Sequence, residues 1–189
     1  MIIGVLALQG DFHEHLTMLA ALGVDARNVR TPKDIAACAG LIIPGGESTT
    51  IGKLMVRFGV NQAIADLHAQ GKPIWGTCAG AILLSTKVVE QNVHNLGLLD
   101  AEISRNAYGR QIDSFEADLD ITGLDGEPFK AVFIRAPRFR SVGPGVEVLA
   151  HIGEEPVFVR QGNVLASTFH PELTHDGRVH QMLVDLAAS

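Results

Sequence analysis

The chain has 189 residues, 47% of them hydrophobic, with 20 glycines and a formal net charge of −6. That length and apolar content suit a single domain, 1–189, with a substantial core, and exclude a disordered chain. The acidity argues against nucleic acid or an anionic membrane surface as the main partner, because both reward a basic face.

The opening MIIGVLALQGD has no basic n-region, and its apolar run at residues 2–8 reads as a first buried strand rather than a signal segment. No run approaches the roughly 18 apolar residues of a membrane helix. The two cysteines, Cys38 and Cys78, are too few for a disulfide scaffold. A soluble, cytoplasmic protein is expected. Asp11 with Glu14 has the spacing of a capping box ahead of a helix carrying Phe12, Leu16 and Leu19. Residues 24–29 and 40–46 read as second and third strands, the latter ending in a glycine turn. Ser48 is placed to cap a helix through Phe58, and residues 62–70 read as another. Residues 72–77 form a fourth strand and 79–87 favour helix.

This alternation predicts an α/β fold: an open, mostly parallel, doubly wound sheet flanked by helices. From about residue 96 to 164 short strands dominate, at 131–137, 146–152 and a hairpin over 156–167. They are expected as extra short β elements on one side of the same domain. The final segment, 174–188, is an amphipathic helix presenting Val179, Met182, Leu183 and Leu186 on one face.

Cys78 sits in GTCAG, between the end of a strand and the start of a helix. This has the layout of a nucleophile elbow, with the thiol near a helix N-terminus and the Ala79 amide aimed at any oxyanion formed there. A small buried cysteine with glycines for packing is the competing reading. A nucleophilic thiol needs a base. Among eight histidines, His13, His15, His68, His175 and His180 read as solvated surface residues. His170 lies where a buried strand should emerge, in FHPE. In an extended chain His170 and Glu172 point to the same side, so carboxylate, imidazole and thiol are able to form a triad. PGGES, at 44–48, also links a strand to a helix, and Gly45 and Gly46 are able to expose backbone N–H donors. An oxyanion hole fits this turn better than a phosphate site, since no complete phosphate-binding motif is present and Glu47 would repel phosphate. No C-x-x-C, H-E-x-x-H or clustered Asp/His motif points to a metal.

PGGES, GTCAG and FHPE in this order resemble the class I, triad-type glutamine amidotransferases. LALQGDFHEH, LIIPGGESTT, RNAYGRQIDSFE, FIRAP and STFHPELT resemble more closely the glutaminase subunits of pyridoxal 5'-phosphate synthases, and the similarity covers essentially the whole chain. The resemblance implies hydrolysis of L-glutamine by Cys78, His170 and Glu172, an oxyanion hole from the amides of Gly46 and Ala79, and no cofactor. It implies glutamine contacts from Gly46, Glu47, Ser48, Arg105, Ile134 and Arg135. A bidentate arginine suits the α-carboxylate, but the residues alone do not choose among Arg105, Arg110, Arg135 and Arg138. The partner implied is a synthase subunit that consumes the ammonia. Low activity of the undocked chain is also implied, and the paired glycines permit a peptide flip that would account for it.

Overall fold

The computed structural model describes residues 1–89, 93–105 and 114–189. The first half alternates strand and helix: β1 (Ile2–Leu6), α1 (Phe12–Ala21), β2 (Asp25–Val29), α2 (Pro32–Ala36), β3 (Gly40–Ile43), α3 (Ser48–Arg57), α4 (Val60–Ala69), β4 (Ile74–Thr77) and α5 (Ala79–Leu84). Strands follow: β5 (Ser85–Val88), β6 (Leu99–Ser104), β7 (Ser114–Leu119), β8 (Phe129–Ile134), β9 (Arg138–Val142), β10 (Glu147–Ile152), β11 (Glu155–Gln161) and β12 (Val164–Ser167). A 3₁₀ turn (Pro171–Leu173) and α6 (Arg178–Ala188) complete the order.

The main sheet has seven strands in the order β10-β11-β12-β4-β3-β1-β2. From β12 to β2 all pairs are parallel, while β11 runs antiparallel to both its neighbours. Every residue of β3, β4 and β12 is buried, as both-face coverage requires. The period of two is visible in where the side chains go. Leu41, Ile43, Ile74 and Val164 join one core cluster; Ile42, Trp75 and Leu165 join the other, with Val179 and Leu183 of α6. The smaller sheets are β5-β6-β9 and β7-β8.

The strands β10 and β11, among the extra β elements expected on one side of the domain, extend one edge of the main sheet, because β11 pairs with β12 through the hairpin. Three expectations are corrected. The helix after Cys78 ends at Leu84: Ser85 turns extended (φ −66°, ψ 149°), and β-branched Thr86 and Val88 continue as strand beside β6. The N-cap of α3 is Glu47, not Ser48; its carboxylate accepts from the amides of Thr49 and Thr50 at 3.1 and 2.7 Å. Asp11 occupies the N-cap of α1 but makes no side-chain cap bond, so no capping box forms there. The capping box lies instead at Thr31 and Asp34, on α2.

Candidate active site

Cys78 is the hinge between β4 and α5. Its backbone has φ 50° and ψ −103°, a conformation that side-chain-bearing residues avoid. Its N–H donates to the Ser167 carbonyl of β12 at 2.8 Å, so the elbow is tied to the neighbouring strand. The flanking glycines answer to close approach. A Cβ on Gly76 would lie 2.4 Å from the Gly80 carbonyl carbon, and one on Gly80 would lie 2.0 Å from the Ile43 oxygen. Strand β4, helix α5 and strand β3 therefore meet backbone to backbone beneath the thiol.

His170 follows β12 and its N–H donates to the Val132 carbonyl of β8 at 2.8 Å. Its Nδ1 and Glu172 Oε1 are 2.7 Å apart, and both residues are buried. The adjacency expected from an extended chain is achieved differently, because residues 171–173 form a 3₁₀ turn opened by Pro171, a residue suited to a first helical position. Nδ1 is taken by Glu172, and Cys78 is the ring's other hydrogen-bond and charge partner. Burial works to lower the His170 pKa, but Cys78 and Glu172 outweigh it and push it up to about 10. The arrangement favours an imidazolium at His170. Burial pushes the Glu172 carboxyl up, and the His170 bond opposes that shift. Asp11 Oδ2 stands 3.8 Å from His170 Nδ1, and Asp11, His170 and Glu172 bring potential ligand atoms within 4.8 Å of one another. Within this cluster the one close contact is the 2.7 Å hydrogen bond between His170 and Glu172.

The glycine turn is shaped by what it touches. A Cβ on Gly45 would sit 2.5 Å from His170 Cε1. Gly46 has φ +151°, and a Cβ there would lie 2.7 Å from Gln9 Oε1. The Gly45 carbonyl accepts from the Asp11 N–H at 3.0 Å, so turning over the peptide between Gly45 and Gly46 breaks that bond.

A cleft of about 500 Å³ collects nearly every residue singled out in the sequence: Gly46, Glu47, Ser48, Cys78, Ala79, Arg105, Ile134, Arg135 and His170 all line it. Glu172 lies behind His170. The Ser48 hydroxyl is buried and has no protein partner among the described residues. Arg105 is held over the cleft by Glu47 Oε1 at 3.0 Å and Thr49 Oγ1 at 2.9 Å. The hydrogen bond from Thr50 does most to hold the Glu47 carboxyl down, to about 2. Arg135 has φ 42°, a second strained residue, directly after Ile134, whose carbonyl lies 4.0 Å from the Cys78 sulfur. Of the other candidate arginines, Arg138 pairs with Glu155 and does not line the cleft; Arg110 lies outside the described residues.

Two histidines depart from the surface role expected of them. His15 and His180 are fully buried rather than solvated. Their rings are 2.9 Å apart, Nδ1 to Nε2, and His15 Nε2 lies 3.4 Å from Glu172 Oε2. The signal was present in the helical spacing, since His15 falls three residues after Phe12 and four before Leu19, on the face that packs inward.

Comparison with known proteins supplies the family. A model of the SNO glutamine amidotransferase family matches residues 5–189. The chain is 54% identical to "Pyridoxal 5'-phosphate synthase subunit PdxT" of Thermus thermophilus, over 98% of this chain and 97% of the relative. It is 52% identical to the protein of the same name from Deinococcus radiodurans, over 99% of this chain and 97% of the relative. A solved structure described as a glutamine amidotransferase superposes with a TM-score of 0.95 at 50% identity, with both chains fully covered. A putative GMP synthase subunit from Thermoplasma acidophilum, 19% identical with a TM-score of 0.72 over 100% of this chain and 94% of that one, shares the fold. The chain belongs to the SNO glutamine amidotransferase family.

Proposed function

We propose that this protein is the glutaminase subunit of a pyridoxal 5'-phosphate synthase, a single catalytic unit over residues 1–189 that works in the cytoplasm beside a synthase subunit. The observation that carries the reading is the Cys78–His170–Glu172 chain at the floor of a cleft walled by a glycine turn and arginines. The family match supports glutamine as the substrate.

The Cys78 thiolate attacks the side-chain amide carbon of glutamine. The carbonyl oxygen becomes an oxyanion, held by the amides of Gly46 and Ala79. The imidazolium of His170 gives its proton to the departing nitrogen, so ammonia leaves and a thioester remains. His170, now neutral, takes a proton from water as the water attacks the thioester. Glutamate leaves and the thiolate–imidazolium pair returns. Glu172 holds the His170 ring and offsets its charge in both halves of the cycle. Ser48, whose buried hydroxyl has no partner among the described residues, and Arg105 line the cleft and take the polar end of glutamine in this reading.

Ammonia explains the partner. Released into neutral water it protonates and stops being a nucleophile, so a producing site gains from being docked on a consuming one. The test is glutamate release from glutamine by the purified chain, with and without its synthase. Cys78→Ser is expected to fold, dock and lose turnover, whereas Cys38→Ala keeps it. Full activity in Cys78→Ser would overturn the nucleophile assignment.

A further inference from the structure

Behind the triad lies a buried polar chain that meets it at Glu172 and whose other members the reaction above does not use. His15 comes from α1, His180 from α6, Thr77 from β4 and Glu172 from the 3₁₀ turn, and all four are buried. Trp75 packs edge-on against both rings, with centroids at 5.8 and 5.0 Å. Both histidines are neutral at physiological pH. Burial lowers the His15 pKa well below its usual value, helped by the nearby His180 and His170. Burial alone brings His180 down to about 3.

A neutral imidazole has one N–H, so the distances constrain the tautomers. His15 Nε2 is 3.2 Å from Thr77 Oγ1 and 3.4 Å from Glu172 Oε2, the carboxylate oxygen that does not face His170. His15 Nδ1 is 2.9 Å from His180 Nε2, and His180 Nδ1 has no partner among the described residues. Suppose His15 carried its proton on Nδ1. Its Nε2 lone pair would then face a carboxylate oxygen, and His180 would carry its proton on the partnerless Nδ1, a buried donor with nothing to accept it. The opposite assignment removes both conflicts. His180 donates Nε2–H to His15 Nδ1, His15 Nε2–H donates to Thr77 Oγ1, and the same N–H lies beside Glu172 Oε2, a buried oxygen with no hydrogen-bond partner of its own among the described residues.

We propose that His15 is a positioning residue for the triad, its Nε2–H held by Thr77 at 3.4 Å from the otherwise partnerless rear oxygen of Glu172, so that the carboxylate is steadied by charge and its front oxygen stays aimed at His170, with His180 fixing the tautomer that makes this possible. This rests on the triad reading given above. The relay is one of orientation and charge: no proton passes through His15 during turnover.

The test begins on the unmodified protein. Nitrogen NMR of histidine-labelled chain at pH 7 is expected to show His15 and His180 both neutral and protonated on Nε2. A proton on Nδ1 of His15, or an imidazolium there, overturns the proposal, and no variant has to fold for that result. Kinetics in the complex with the synthase supply the second arm. His15→Phe should lower kcat about tenfold, with KM within about twofold, because the buried rear oxygen of Glu172 loses the N–H dipole that faces it. His15→Gln, whose side-chain amide N–H reaches where Nε2–H was, should recover most of the loss. Equal losses in both variants, tracking a fall in melting temperature, would make the role merely structural and overturn the proposal. So would wild-type kcat in both. Failure of the triad reading is distinguishable, because it appears as activity in Cys78→Ser whatever the tautomer of His15.

Discussion

Gly80→Ala tests how the nucleophile is held. The added methyl would lie 2.0 Å from the Ile43 oxygen and 3.0 Å from its carbonyl carbon, both backbone atoms of the central sheet. Real Cβ contacts do not fall under 3.0 Å, so β3 and α5 must part by about 1 Å. Alanine's helix propensity favours the variant by about 1 kcal/mol. Overpacking a rigid site costs about 1–3 kcal/mol, and a clash with backbone on both sides belongs at the top of that range. The net should be destabilisation by about 2 kcal/mol, read as a melting temperature lower by roughly 4–8 °C for a chain of this size. Activity should suffer more. Cys78 lies two residues upstream on the same turn, and a misplacement of about 1 Å at a reacting atom costs on the order of 10²-fold. Thermal denaturation and glutamate release in the presence of the synthase measure the two effects separately. A variant that melts at or above the wild-type temperature and turns over normally would refute the idea that this contact seats the elbow.

Cys78→Gly should abolish turnover yet stabilise the fold by about 1 kcal/mol, since glycine adopts a positive φ without the cost a side chain brings; urea denaturation reads the gain. Glu47→Ala removes an N-cap and should cost about 1 kcal/mol. It also frees Arg105 from Glu47, so KM for glutamine should rise more than kcat falls. The Glu47 carboxyl, ordinarily near 4.5 but held at about 2, stabilises the fold fully above pH 4.5, and that stability is lost as pH falls through about 2. His15 and His180 act higher on the scale. Their folded pKa values lie below 6.5, so the unfolded chain binds protons first as pH drops. Below pH 6.5 each should remove up to about 1.4 kcal/mol of stability per pH unit. His170 has the opposite sign: its contribution is complete below 6.5 and fades as pH rises through about 10. Urea midpoints from pH 5 to 10 should therefore fall away on both sides; a flat acid limb would contradict the buried neutral pair.

Cys78, His170 and Glu172, the proposed nucleophile, base and acid, could be singled out because they lie in short motifs at the ends of apolar strands, and GTCAG and PGGES need glycine for contacts that only a bare backbone allows. The parallel strands β1, β3 and β4 were equally readable from their apolar runs. Other features depended on what the fold brings together. Nothing local says that His15 and His180, separated by 165 positions, share a hydrogen bond. The motif letters Ser48 and Asp11 looked like caps. The acceptor for α3 proved to be Glu47, and Asp11 was drawn towards His170, because tertiary neighbours override a weak local preference. Residues 85–87 left the helix expected for them because β6 offers a strand to pair with, and no local propensity records that.

The ladder between β4 and β12 pairs Thr77 with Ser167, one residue short of the thiol and three short of the imidazole. Alignment of the reacting groups is thereby inherited from the register of two fully buried central strands, not from a surface loop that is able to loosen alone. Heat inactivation and global melting should then coincide, with no inactive but still folded species accumulating between them: the enzyme's working life at a given temperature is that of its innermost strand pair.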